Sequence, residues 1–271
     1  MCRIAYKSLL VFLLLVIGFF TVLITSILRV FKLIHSKQIQ VIAKLWYRIF
    51  LICIDLKIHI KTSDHSPNAN SSNKGAVVVA NHVSWMDIIV LGSVIPTHFL
   101  SKAEVRQWPL IGWMAHQIGT LFIQRGGGGD VEALKKQMLQ YVNTEQNILF
   151  FPEGKTGAGD RLLAFRPRLF SIPIDSKANI QPMSIKYGLQ KSAHRVIPYQ
   201  PNQNTFNNLL SVMAFGRIDV YVNFAKPIDP STKSRDQLAI EAQNNIAELL
   251  EFSPEQVHQR FQSKAQPKRN S

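Results

Sequence analysis

Three short, almost wholly apolar runs in this 271-residue chain each stop abruptly at a polar, charged or glycine-rich turn. Gly75-Ala76-Val77-Val78-Val79-Ala80 runs into Asn81-His82. Gly119-Thr120-Leu121-Phe122-Ile123-Gln124 ends in Arg125 and a loop of glycines, Gly126 to Gly129. Asn147-Ile148-Leu149-Phe150-Phe151 runs into Pro152-Glu153-Gly154-Lys155-Thr156-Gly157. Short continuous apolar runs suit strands buried on both faces, which need helices to cover them. The intervening sequence supplies these: Val131 to Val142 has helical apolar spacing, Asp236 to Leu250 reads as an amphipathic helix, and Arg217 to Phe224 alternates like a further strand. The expected class is α/β: a mixed sheet flanked by helices, with an N-terminal membrane-anchoring helical segment. In such sheets ligand sites lie at the strand exits, where charge here meets flexible backbone.

The first exit pairs a base with a carboxylate. A neutral histidine takes a proton near neutral pH, and a carboxylate on its other ring nitrogen fixes the tautomer and stabilises the imidazolium as it forms. On an ideal helix His82 and Asp87 would lie about 140° apart. They can meet only if His82 sits on the loop and Asp87 in the first turn of a short helix, read here as Trp85 to Gly92 and entered through Ser84. Ser84-x-x-Asp87 equally fits a helix cap, with Asp87 favourable at the positive helix end. Local sequence leaves both readings open. At the other two exits Arg125 offers a planar fork and Lys155 a point charge, a pair suited to clamping a phosphate.

Taken together, Asn81-His82-Val83-Ser84-Trp85-Met86-Asp87, Gly119-Thr120-Leu121-Phe122-Ile123-Gln124-Arg125 and Phe151-Pro152-Glu153-Gly154-Lys155-Thr156-Gly157 resemble, in order and spacing, the motifs of the membrane glycerolipid acyltransferases, specifically the 1-acyl-glycerol-3-phosphate (lysophosphatidate) acyltransferase family. The resemblance runs from about Gly75 to about Tyr187, with a looser fourth block at Ile180 to Ser184. It implies His82 as general base with Asp87 as its partner, and Arg125 with Glu153 and Gly154 in acceptor binding. Lys155 and Thr156 complete the expected substrate-binding set, and Pro182 is implied to shape the site. Family members usually carry threonine directly after Phe-Pro-Glu-Gly; this chain has Lys155 and then Thr156.

Other site chemistries fit poorly. A phosphate-binding nucleotide loop needs a glycine where Leu149 stands, inside a strand. The four glycines lack the strand, tight turn and acidic residue of a dinucleotide site, so a hinge or lid is the better reading. No Gly-x-Ser-x-Gly elbow occurs. Histidines and cysteines show no metal-ligand spacing, and Cys2 and Cys53 do not suggest a disulfide framework. No metal and no cofactor are expected.

The net charge of +14 asks for an anionic partner. Lys and Arg are not interleaved with aromatics along a stripe, so nucleic acid is not the expected partner. Half of the excess lies in residues 1–60, which hold eight Lys or Arg against the single Asp55; this is the pattern of a membrane-surface binder. Leu9 to Leu28 is a charge-free apolar run of 20 residues, long enough to cross a hydrocarbon core of about 30 Å. It exceeds a usual signal-peptide core and no small-x-small cleavage site follows. Positive residues are denser after the run than before it, which places the downstream domain in the cytoplasm. Ile39 to Leu56 contains Lys44 and Arg48 and should lie in the interface with its charges toward phosphates. The alternative is that both runs form a helix pair dipping into one leaflet, as the resemblance permits.

The expected organisation is a membrane anchor and interfacial helix over 1–60, a linker over 61–74, a catalytic domain over 75–252 and a basic polar tail over 253–271. The expected mechanism has His82 deprotonate the hydroxyl of a lysophospholipid, most simply 1-acyl-glycerol-3-phosphate, for direct attack on an acyl thioester of coenzyme A or acyl carrier protein, with loop amides near the helix start steadying the oxyanion. Arg161, Arg166 and Arg168 read as a solvated or lipid-facing basic patch, Trp85 and Met86 as core. Two rivals remain open: another acceptor, such as lyso-ornithine lipid, and a non-catalytic basic membrane-binding protein, against which the presence of both His82 and Asp87 speaks.

Overall fold

The computed structural model describes residues 2–61, 75–124, 131–188 and 195–258, the side chains of Cys2 and Val131 excepted. Arg125 and the glycine loop, the linker after Lys61 and the tail from residue 259 lie outside these. Among the described residues a seven-stranded sheet has the order β1-β7-β6-β2-β5-β3-β4. The strands are β1 (Leu56–Lys61), β2 (Val77–Ala80), β3 (His98–Lys102), β4 (Leu121–Ile123), β5 (Ile148–Phe150), β6 (Ile180–Tyr187) and β7 (Ile218–Phe224). All neighbours pair in parallel except β6 and β7, so the sheet is mixed, as expected. The central β2 is fully buried over its four residues, which is why it reads as an unbroken Val run rather than an alternation.

Helices cover both faces. On one side α1 (Cys2–Val30), α2 (Ser36–Ile54), α3 (Met86–Val94) and α8 (Thr205–Phe215) build a core with Val78 and Ala80 of β2. On the other, α6 (Val131–Asn143), α7 (Ser171–Ser176) and α9 (Arg235–Leu249) pack on Val77 and Val79. The period-two switch along β2 therefore divides the interior into two cores. Two short helices, α4 (Ala103–Arg106) and α5 (Ile111–Gln117), bridge β3 to β4.

The structure differs from the sequence reading at the N-terminus. β1 follows α2 directly and pairs in parallel with β7 over six residues, so the expected boundary at residue 60 falls inside a strand of the sheet. Ile39 to Leu56 is likewise less free than an interfacial helix: Tyr47, Phe50, Leu51 and Ile54 of α2 are core, and Arg48 donates to the Ser93 carbonyl at the end of α3 at 2.9 Å. Its exposed apolar residues form an outer stripe of Val41, Leu45, Ile49 and Ile52.

α1 is long and apolar enough to cross a membrane, yet it lies lengthwise on the domain. Lys7, Val11, Leu14, Gly18, Val22 and Thr25, at helical spacing, form its buried stripe. Lys7 donates to the Ile54 and Met213 carbonyls and pairs with Asp55, as does Arg3. Trp46 donates to the Leu14 carbonyl, and at the far end Arg29 donates to Gln117. Its opposite side exposes Leu9, Phe12, Ile17, Phe20 and Ile24.

The seam between α2 and α3 closes over Gly92, where an added Cβ would lie 2.6 Å from the Tyr47 ring. Gly92→Ala gains about 1 kcal/mol of helix propensity against overpacking of about 1–3 kcal/mol. A lowered melting temperature in detergent is expected; an unchanged or raised one would mean that the seam opens without strain.

Candidate active site

β2 ends at the C-terminal edge of its parallel neighbours β5 and β6, and its continuation Asn81-His82-Val83-Ser84 folds back before α3 begins at Met86. His82 sits on this loop and Asp87 in the first helical turn, the one geometry in which the pair can meet. His82 Nδ1 lies 2.8 Å from Asp87 Oδ2. The same oxygen accepts the backbone N–H of Val83 at 2.6 Å and of Ser84 at 2.9 Å. Asp87 Oδ1 accepts the Tyr187 hydroxyl at 2.6 Å. The capping and the base-orienting readings are thus one arrangement: the carboxylate ties down the loop before the helix and fixes the imidazole. The helix starts one residue later than expected, with Trp85 at its N-cap position, and the amides of Val83 and Ser84 are spent on Asp87 rather than offered to an oxyanion.

A carboxylate acceptor at Nδ1 places the proton there and leaves Nε2 as the basic nitrogen. Among the described residues Nε2 has no hydrogen-bond partner, and the side chain keeps 16% of its accessibility, whereas Asp87 is fully buried.

The segment Phe151 to Gly157 holds His82 from the other side. The Phe151 ring stacks on the imidazole at 3.9 Å between centroids, with planes 8° apart. Glu153 Oε1 accepts the His82 N–H at 2.6 Å, and the Gly157 N–H donates to the His82 carbonyl at 2.8 Å. Glu153, expected in acceptor binding, is turned inward: it is 4% exposed, and its second oxygen accepts the Leu163 N–H at 3.1 Å. Burial is the main force on its carboxyl, pushing the pKa up to about 8 with help from the Asp87 charge and against its two N–H donors.

Gly154 has φ +76° and no Cβ, which would sit 2.9 Å from the Arg166 guanidinium carbon. Its role is to let the chain turn and Arg166 approach. Lys155 and Thr156 are exposed on the same turn. Lys155 lines a cleft of about 710 Å³ with Glu153, Arg166, Arg168 and Arg235. Arg166 and Arg168, read in sequence as a solvated patch, thus line the cleft that reaches the His82 clamp; Arg161 instead pairs with Asp160 at 3.3 Å. Arg235 was not anticipated, because α9 follows the motifs by some eighty positions. Pro182 lies inside β6 opposite Val79, its carbonyl accepting the Ala225 N–H. Trp85 donates to Asn208 and Met86 is core. His98 is a buried joint between α2 and two turns, stacked on Tyr141. No group of three or more His, Cys, Asp or Glu able to hold a metal occurs among the described residues.

The imidazole is thus oriented through Nδ1 by Asp87, and the carboxylate that holds its backbone N–H, Glu153, also lines the cleft with Lys155 and the three arginines. A family model described as Acyltransferase matches residues 57–186. The chain is 34% identical over 195 residues to the lyso-ornithine lipid O-acyltransferase of Pseudomonas aeruginosa, covering 72% of this chain and 73% of that protein. It is 31% identical over 166 residues to the 1-acyl-sn-glycerol-3-phosphate acyltransferase of Neisseria gonorrhoeae, covering 61% of this chain and 65% of that one, slightly under two thirds of the relative's length. The fold matches the crystal structure of the 1-acyl-sn-glycerophosphate acyltransferase of Thermotoga maritima with TM-score 0.67 and 19% identity, covering 92% and 94% of the two chains. This chain belongs to the acyltransferase family.

The raised Glu153 pKa gives a stability signature. Between the unfolded value of 4.5 and the folded value of about 8, the native state holds a proton that the unfolded state has lost. Stability contributed by the protonated carboxyl is therefore full below 4.5 and declines as pH rises toward 8. Glu153→Gln removes the titration, so its melting temperature should fall less steeply with pH over that window. Parallel curves for variant and wild type would show that Glu153 ionises normally.

Proposed function

We propose that this chain transfers a fatty acyl group from an acyl thioester to the free hydroxyl of a lysophospholipid, with 1-acyl-glycerol-3-phosphate as acceptor and phosphatidate as product. The observation that carries this reading is that Glu153, which accepts the His82 N–H, also lines the cleft with Lys155, Arg166, Arg168 and Arg235, while His82 Nε2 has no hydrogen-bond partner among the described residues. His82 takes the proton of the acceptor hydroxyl as its oxygen attacks the thioester carbon. The tetrahedral intermediate then collapses, the C–S bond breaks, and the thiol leaves with that proton. Asp87 keeps the Nδ1–H tautomer and stabilises the imidazolium between the two steps. No acyl-enzyme and no cofactor are required; the co-substrate is acyl-coenzyme A or acyl carrier protein.

Clustered cations neutralise a phosphate dianion better than a zwitterionic headgroup, which favours a phosphate acceptor, with Arg125, outside the described residues, in the same role. A second reading, lyso-ornithine lipid as acceptor, is supported by the 34% identity to the Pseudomonas protein. On either reading α1 and the outer stripe of α2 enter one leaflet, because a helix fastened lengthwise to a domain cannot cross a bilayer without it. Anionic lipid then meets the basic N-terminal segment, and the domain faces the cytoplasm, consistent with the charge asymmetry around α1.

Acyl transfer by purified membranes to a panel of lysolipids, with both donors, tests the assignment. Product from lysophosphatidate above that from lyso-ornithine lipid supports the first acceptor, and the reverse order selects the second. His82→Ala should lower turnover by at least about 10²-fold without detaching the protein from membranes; near-normal turnover rejects His82 as the base. Asp87→Asn keeps a capping oxygen yet should lose most of the rate, whereas a purely capping Asp87 predicts little change.

A further inference from the structure

Tyr187 closes β6, 100 residues along the chain from Asp87, and its hydroxyl donates to Asp87 Oδ1 at 2.6 Å. Both side chains are fully buried. Backbone register sets this meeting. β2 pairs with β6 up to Ala80 and Met183. Asn81 then extends the ladder with its side chain, accepting the Ile185 N–H at 2.8 Å and donating to the Ile185 carbonyl at 2.9 Å. The residue next to His82 therefore fixes, through Ile185, the height at which Tyr187 reaches Asp87. Burial first, and then the neighbouring Asp87 charge, holds the phenol well above its ordinary range, so it stays a donor at working pH. Packing alone would be met by phenylalanine; the hydroxyl's partner is the carboxylate that orients the base.

We propose that Tyr187 is a positioning residue for acyl transfer: by sharing the negative charge of Asp87, its hydroxyl sets how strongly Asp87 holds the imidazolium of His82 and so the pH at which His82 becomes an available base. This rests on His82 being the base. Oδ2 takes His82 and two amides, and Oδ1 takes Tyr187. Without the phenol, Oδ1 becomes a buried acceptor lacking its donor, and the charge concentrates toward His82. Among the described residues the other titratable group facing the pair is Glu153, from the turn after β5, which also lines the cleft with Lys155; Phe151 stacks on the imidazole and adds no charge.

The test uses the full-length protein in detergent with Tyr187→Phe and with 3-fluorotyrosine at position 187, a stronger donor of nearly the same size. The primary readout is the imidazole nitrogen titration of His82 by NMR, which needs no substrate. In Tyr187→Phe its midpoint should rise by about one pH unit, equivalent to about a tenfold change in proton affinity; with 3-fluorotyrosine it should fall. In acyl transfer, kcat of Tyr187→Phe should drop about 10- to 100-fold, in the range of a lost hydrogen bond to a charged group. The acid limb of kcat/KM should follow the titration, with both Michaelis constants unchanged. A His82 midpoint that stays put in both folded variants overturns the proposal, as does a raised Michaelis constant with an unmoved titration, which would mean that Tyr187 only shapes the pocket. Wild-type protein that acylates no lysolipid would count against the functional reading, while the titration would still decide the role of Tyr187.

Discussion

The fully buried carboxylate of Asp87 is the constraint around which the site is organised. A charge with no access to water is tolerable only where donors replace the lost hydration, and four converge here: the Nδ1–H of His82, the amides of Val83 and Ser84, and the hydroxyl of Tyr187. Three come from the loop that precedes it, so the separation of five between His82 and Asp87 is the length of chain needed to wrap one turn around the carboxylate. The fourth comes from the end of the neighbouring strand. Any shift in the β2–β6 register would leave Asp87 short of a donor, which links the geometry of His82 to the pairing at the centre of the sheet.

A second clamp acts on His82 itself. Its N–H, its carbonyl and its ring face are all taken by the segment Phe151 to Gly157. That segment therefore has two sides: Phe151, Glu153 and Gly157 hold His82, while Lys155 and Thr156 are exposed. Inward placement of Glu153 puts an ionisable group against the His82 backbone, where its state bears on stability. Gly154 serves the exposed side by allowing Arg166 to lie against the turn.

Much of this was legible locally. The strand exits, the His82–Asp87 pairing and the main helices follow from runs and spacings a few residues long, and the observed β5, β7, α6 and α9 fall within one residue of the expected ends, with β2 starting two residues late at Val77. What was not legible depends on contacts distant in sequence. The pairing of β1 with β7 joins residues some 160 positions apart, and nothing in Leu56 to Lys61 announces a parallel partner. Tyr187 looked like the end of a similarity region rather than part of the site, because only the register of β6 brings it to Asp87. Glu153 read as a substrate ligand because the resemblance implied it; its inward turn depends on the Leu163 amide, contributed by the following loop.

The division of the interior by β2 also gives the molecule two unlike faces. α1, α2 and α3 cover one core, with the exposed apolar stripes of α1 and α2 outermost. The second core lies under α6, α7 and α9, and the arginine-lined cleft opens at its edge, where Arg235 begins α9. His82 stands at the sheet end between the two. An acceptor with an apolar tail and an anionic head matches that order of surfaces, since its reactive hydroxyl lies between tail and head. On the proposed reading the sheet thus does more than carry the motifs: because alternate residues of one buried strand serve opposite cores, the same four-residue run that leads into His82 also fixes which side of the base is apolar and which is cationic.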